Sequence, residues 1–138
     1  DTMYYIKFIM KNNIFKLIKY SYFLSLLVLI ILYLFPGSLI GYLIYGDLDA
    51  QPKLINNPIG TSINHFFYFL FLSTLSLIDR LQNQKLINSF RFLFFISILS
   101  ELLHYFIPNR AFEFYDLLAN CTGVMVVFIL YNLLIEKK

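Results

Sequence analysis

Residues 14–35 read IFKLIKYSYFLSLLVLIILYLF, and this run decides the class of fold. From Tyr20 to Phe35 it carries no charged residue, and about 20 apolar residues in helical form cross the hydrocarbon core of a bilayer. Pro36 and Gly37 end the run, one removing a backbone donor and the other adding conformational freedom. The rest of the chain agrees with it. Of 138 residues, 59% are apolar or aromatic and 14% are charged, well below the roughly 25% of a soluble domain. Mean hydropathy is +0.71, which a small water-facing domain of this length does not reach. The single cysteine, Cys121, makes no internal disulfide, and no Cys or His pair has metal-site spacing.

Working outward, Ser38–Tyr45 is apolar but too short to span, and Gly46–Gly60 is a polar, Pro-containing loop. Further spans are predicted over residues 61–79, 86–107 and 112–135, with Thr61 or Ser62 capping the second and Pro108 stopping the third. Each exceeds the length of a strand and lacks period-two alternation. The expected fold is therefore all-α: one domain over 1–138, an integral membrane four-helix bundle behind a basic N-terminal flank at residues 1–13. The first helix is read as retained, since its apolar run is long for a signal peptide and no small-x-small cleavage site follows it.

Orientation follows from the basic residues, because short loops rich in Lys and Arg stay cytoplasmic. Lys7, Lys11, Lys16 and Lys19 stand at the head of the first helix, Arg80, Lys85 and Arg91 flank the second turn, and Lys137 and Lys138 follow the last helix. Only Lys53 and Arg110 lie opposite. Both termini are expected on the cytoplasmic side of a bacterial-type inner (plasma) membrane. The lipid bilayer is the expected partner, and no feature calls for a nucleic acid.

Ionisable groups inside a bilayer cost at least a few kcal/mol unless paired or hydrated, so each needs a partner or a purpose. Glu101 and His104 share a face at i and i+3 on the third helix. Asp116, Asn120 and Gly123 share one at i, i+4 and i+7 on the fourth. His65 opens the second helix, and Arg110 lies in the turn between the third and fourth. All fall in one layer towards the outer side, where His65, Glu101, His104, Arg110, Asp116 and Asn120 form a candidate polar binding cluster. The same residues also admit a purely structural reading. Arg110 and Asp116 would pair to lock a hairpin, Asn120 would bond across helices, and Gly123 would allow close packing. Cys121 reads as a small packing residue. No Ser or Cys stands beside a base at a recognisable spacing, so no catalytic residue is assigned. Two separated histidines and scattered carboxylates give no metal motif, and no cofactor is expected.

The pattern Glu101-x-x-His104-x-x-x-Pro108-x-Arg110, followed by Asp116-x-x-Ala119-Asn120-x-x-Gly123, resembles the hallmark of the VanZ-like membrane proteins. Asn64-His65-Phe66-Phe67-Tyr68-Phe69 is similar to the His-Phe-x-x-Tyr element that opens that family's second helix, with Tyr68 one place nearer His65 and Phe69 at the Tyr position. His104 stands where the family usually has Gln, and Thr61-Ser62 where an Asp-Lys pair often precedes the His. The family takes its name from glycopeptide (teicoplanin) resistance. The resemblance implies a four-helix inner-membrane protein whose outward polar cluster recognises or protects a cell-envelope component. The alternative is an accessory subunit of a larger membrane complex with no catalysis of its own. A membrane enzyme using Glu101 or His104 as base is a third reading, with less behind it.

The charge distribution makes a direct prediction about orientation. Cysteines introduced at Asn56 and Asn109 should react with an impermeant thiol reagent in intact cells, and one at Asn83 should not. Reaction at Asn83 with silence at Asn56 would invert the orientation.

Overall fold

Uninterrupted by Gly or Pro, residues 2–34 form one helix, α1 (Thr2–Leu34), in a computed structural model that describes residues 2–53, 60–81 and 84–135, with side chains at 12–53, 60–81 and 84–133. Residues 54–59 of the expected loop, 82–83 of the expected turn, and Glu136, Lys137 and Lys138 lie outside the described residues. Four more helices follow: α2 (Leu39–Tyr45), α3 (Gly60–Arg80), α4 (Phe90–Leu103) and α5 (Phe114–Ile135), with a 3-10 turn at Leu86–Asn88 ahead of α4. No strand occurs among the described residues.

The expected basic flank at 1–13 is thus helical from Thr2 and continuous with the apolar run. Helix α1 closes with Phe35 N donating to Ile31 O at 3.0 Å, after which Pro36 offers no donor and Gly37 turns the chain at φ +81°. Ser38 then caps α2 by accepting from Gly41 N at 3.0 Å. The chain folds back over α2 so closely that a Cβ on Gly41 would stand 1.6 Å from the Ala50 carbonyl oxygen, and only glycine fits there.

Three helices are long and apolar enough to cross a membrane: Asn12–Leu34, Gly60–Arg80 and Phe114–Leu133. The expected third span, 86–107, differs. Ser89 caps α4, and the helix ends at Leu103, ahead of Pro108. Fourteen residues make a helix of about 21 Å, short of the ~30 Å hydrocarbon core. Beyond Leu103 the amides of His104, Tyr105 and Phe106 bond three residues back, to Glu101, Leu102 and Leu103. This tighter winding uses up the last turn before Pro108, whose ring disfavours helix at Ile107, and Asn109 reverses the chain at φ 57°. At the start of α3, Thr61 and Ser62 lie within the helix instead of capping it, because the helix already includes Gly60.

Helix α3 packs chiefly on α5 and also on α1, while α4 lies against α5 and α1. Tyr22, Leu26, Leu29 and Tyr33 form a stripe at i, i+4, i+7 and i+11 on α1, and it meets Phe69 and Leu72 of α3, Phe90 and Leu93 of α4, and Val124 and Val127 of α5. The outside is equally apolar: Leu24, Leu27, Ile31, Phe67, Phe71, Ile129 and Leu130 are exposed. Meanwhile Ser73, Ser76, Ser97, Glu101 and Asn120 are fully buried. An apolar exterior around a polar-containing interior suits lipid as the surrounding medium.

A polar knot ties the α3–α4 connection. Asn88 donates from Nδ2 to Asp79 Oδ2 at 2.9 Å and accepts from Lys85 N at 2.8 Å, Ser76 donates to Asn88 O at 3.0 Å, and the Tyr22 hydroxyl donates to Ile87 O. At the other end α3 and α5 approach through Gly123. A Cβ there would lie 2.7 Å from Phe66 O and 2.9 Å from Leu70 N, both backbone atoms that cannot rotate away. Gly123→Ala should therefore lower stability in detergent by about 1–3 kcal/mol, as overpacking does. Met125→Leu, on an exposed face of the same helix, should leave the melting temperature unchanged.

Candidate functional site

Where α1 and α4 end and α3 and α5 begin, side chains from all four helices converge. Helix α1 brings Tyr33 in its last turn, α3 brings Ser62 and His65, α4 brings Glu101 with His104 just beyond it, and α5 brings Asp116 and Asn120. Glu101 and Asn120 are wholly buried, and His104, Asp116 and Tyr33 nearly so.

The hydrogen bonds fix one another's direction. Asn120 Nδ2 points at the Ser97 carbonyl, 3.4 Å away, which can only accept. Asn120 Oδ1 is then the acceptor for the Tyr33 hydroxyl at 2.9 Å. Having given its only proton to Asn120, the Tyr33 oxygen accepts from His65, whose Nδ1 lies 2.6 Å away and therefore carries hydrogen. The other ring nitrogen, Nε2, faces Asp116 Oδ2 at 3.3 Å. The second oxygen of Asp116 accepts from the Ser62 hydroxyl. One line of bonds thus runs from α4 through α5 and α1 to α3 and back to α5.

Glu101 forms the second half. Its Oε1 accepts from Glu113 N at 3.0 Å and from His104 Nδ1 at 3.2 Å, while its Oε2 and His104 Nε2, both deeply buried, have no hydrogen-bond partner among the described residues. The His104 ring stacks on Tyr33, with centroids 5.1 Å apart and planes at 14°. His65 Nε2 or Nδ1 and one carboxylate oxygen each from Glu101 and Asp116 all lie within 4.8 Å of one another.

Arg110 does not make the expected pair with Asp116. Its guanidinium donates to Leu32 O at 2.7 Å and Phe35 O at 3.3 Å, carbonyls at the C-terminal end of α1 that have no further helical turn to satisfy them. The early end of α4 is the physical reason: it leaves a turn long enough for Arg110 to reach across to α1, while Asp116 is turned inward to His65 and Ser62. Burial holds the Arg110 pKa below its ordinary value, against the pull of Tyr33, Glu101 and Asp116. Glu113, at the mouth of α5, is pushed up by burial first and by the carboxylates of Asp116 and Glu101 second.

Beside this cluster lies a cavity of about 520 Å³. Leu29, Leu32, Leu39, Phe67 and Phe71 give it apolar walls, and Tyr33, Asn64, His65, His104 and Arg110 contribute polar groups. Of the candidates named from sequence, His65, His104 and Arg110 line the cavity. Glu101, Asp116 and Asn120 stand behind them, bonded to the lining residues directly or through Tyr33. Gly123 serves the α3–α5 contact instead. Tyr33 and Ser62 escaped the sequence reading. Tyr33 is one of 11 tyrosines, and its place one turn before Pro36 was the only available signal.

The revised geometry separates two couplings. In double-mutant cycles, His65→Ala with Asp116→Ala should show a coupling of about 1 kcal/mol or more, as touching charged or hydrogen-bonded groups do. Arg110→Ala with Asp116→Ala should come closer to additive. A larger coupling for Arg110 than for His65, read from melting in detergent, would contradict the bonding pattern.

Compared with protein-family models, curated proteins and solved structures, the chain matches none of them. What the site does therefore has to follow from its own geometry.

Proposed function

We propose that the chain is a VanZ-like small membrane protein that binds an amphipathic component of the cell envelope and so recognises it or shields it from an antibiotic. The cavity carries this reading. Its volume falls in the range of roughly 300–1,000 Å³ occupied by small-molecule sites, and its lining divides into apolar walls and a few convergent polar groups. Such a division suits a ligand with a hydrocarbon portion and a hydrogen-bonding headgroup. The apolar part would lie against Leu29, Leu39 and Phe71, and the headgroup would meet Arg110, His65 and Asn64.

The polar side of the cavity is preorganised, which favours recognition. His65 is held in one tautomer by Tyr33, and Arg110 is anchored by two carbonyls of α1, so neither side chain has to be ordered when a ligand arrives. Asn64 is similarly tied, donating to Pro52 O at 2.7 Å, and its Oδ1 has no partner among the described residues. In this reading residues 86–107 cross the membrane as a fourth, shorter segment. The termini are cytoplasmic, and the cavity opens to the outer side of an inner membrane.

Native mass spectrometry after gentle detergent extraction tests the proposal. The wild-type chain should carry a bound amphiphile of defined mass, and Leu39→Trp, which fills the cavity, should release it without lowering expression. Arg110→Ala should reduce occupancy at least about tenfold, the equivalent of 1.4 kcal/mol. A chain that emerges in fixed stoichiometry with another protein, and is indifferent to Leu39→Trp, would replace this reading with that of an accessory subunit.

A further inference from the structure

The polar cluster has a feature that binding at the cavity does not explain. Glu101 is fully buried, and one of its carboxylate oxygens has no partner among the described residues. A carboxylate of that kind is expensive in a dry interior unless a proton or a cation completes it. Arg110 is engaged with the carbonyls of α1. The His65–Asp116 contact leaves Glu101 as it was.

We propose that His65, Asp116 and Glu101 form a binding site for a divalent transition-metal ion of the zinc class. The three donor atoms come from α3, α5 and α4 and lie within 4.8 Å of one another. His65 Nε2 and Asp116 Oδ2 are 3.3 Å apart, the edge expected when two ligands at about 2.0–2.1 Å meet a tetrahedral ion. Glu101 would close the remaining distance to complete the set. Nδ1 of His65 carries hydrogen for Tyr33, which leaves the Nε2 lone pair directed at Asp116. That contact is bridged by a proton or by a metal ion that takes the proton's place.

Each ligand is also held from behind, as metal ligands generally are. Tyr33 orients His65, Ser62 donates to Asp116, and His104 with the Glu113 amide donates to Glu101. Two carboxylates balance a dication's charge. The imidazole favours zinc or cobalt over magnesium and calcium, which prefer oxygen alone. Three protein ligands leave at least one coordination position open, and His65 places the site at the cavity wall. The assignment stands apart from whether the cavity holds an amphiphile, because the metal's donors are complete without one.

The test uses the full-length protein in detergent, stripped with a chelator and titrated with Zn²⁺ alone, Mn²⁺ alone, or Co²⁺ as a spectroscopic probe. One equivalent of Zn²⁺ per chain should bind and raise the melting temperature, and Co²⁺ should develop the visible bands of a four- or five-coordinate ion. Glu101→Gln keeps the shape and removes the charge, and should weaken Zn²⁺ binding at least about 100-fold, with His65→Gln doing the same. Tyr33→Phe, which leaves every ligand in place, should weaken it by about 10–100-fold. Wild-type protein that binds no metal after stripping would overturn the site, and that result needs no variant to fold. So would Zn²⁺ binding that folded Glu101→Gln and His65→Gln proteins retain in full. Loss of metal with the amphiphile still bound would remove this site and leave the cavity reading intact.

Discussion

Two carboxylates held among apolar helices, Glu101 and Asp116, set the terms for one whole end of this molecule. A charged or even a polar group in such surroundings is tolerated only with bonding partners, and helices alone cannot supply them because their backbone groups are already used. The partners must come from other helices. Asp116 is met by Ser62 and His65 of α3, and Glu101 by His104 and by the amide that opens the approach to α5. Tyr33 and Asn120 then close the gap between α1, α4 and α5. Each of these bonds has a direction set by its neighbour, so the four helices can meet in few other registers without stranding a buried donor or acceptor. Apolar packing alone would be less exacting, since leucine against leucine slides at small cost, and lipid tails compete equally well for such surfaces.

The early end of α4 belongs to the same arrangement. Had the helix continued to Pro108, Arg110 would have faced α5 as its nearest neighbour, and a hairpin ion pair with Asp116 would have been the natural outcome. Instead the chain tightens into three-residue bonds after Leu103, and the turn that follows carries Arg110 to the carbonyls that α1 leaves open when Pro36 interrupts it. Two helix ends thus complete each other: one lacks acceptors for a cation, and the other has carbonyls to spare and the negative end of its dipole. The amide of Glu113, released in the same turn, becomes a donor for Glu101.

What could be read from the sequence follows from range. The apolar runs are local, so the spans at 14–35, 61–79 and 112–135 lie close to helices α1, α3 and α5, and the shared faces of Glu101 with His104 and of Asp116 with Asn120 follow from helical periodicity. Partner choice is not local. Nothing near Asp116 in sequence marks Ser62, 54 residues away, as its hydrogen-bond donor, or distinguishes Tyr33 from ten other tyrosines. Thr61 and Ser62 look like caps because hydroxyls at the head of an apolar run usually are, but their helix has already begun. The end of α4 was misplaced because proline marks where a helix must stop, while the tightening before it depends on where Arg110 and Glu113 find their bonds. Spacing along the chain also hid the closeness of His65, Glu101 and Asp116, which three different helices deliver.

The cavity shows how the rigid and the adaptable parts divide. On its polar side Tyr33 and His65 are bonded to each other, and Asn64 and Arg110 are fixed by backbone carbonyls. Its wall at Leu39 and Ile40 belongs to α2, a seven-residue helix held by its Ser38 cap, by the bond from Ser38 N to Leu48 O, and by the close approach of Ala50 to Gly41. These are contacts of α2 with its own flanking chain, and α2 makes no extensive contact with the long helices. A change in the apolar wall would therefore alter the cavity's volume without disturbing His65 or Arg110. A change at Asn120 or Tyr33, neither of which presents a charge, would propagate through the bonds to His65 and Asp116. On the proposed reading, selectivity for a headgroup is tied to the packing of the helices themselves, whereas tolerance for different chains rests on a segment that the rest of the fold hardly constrains.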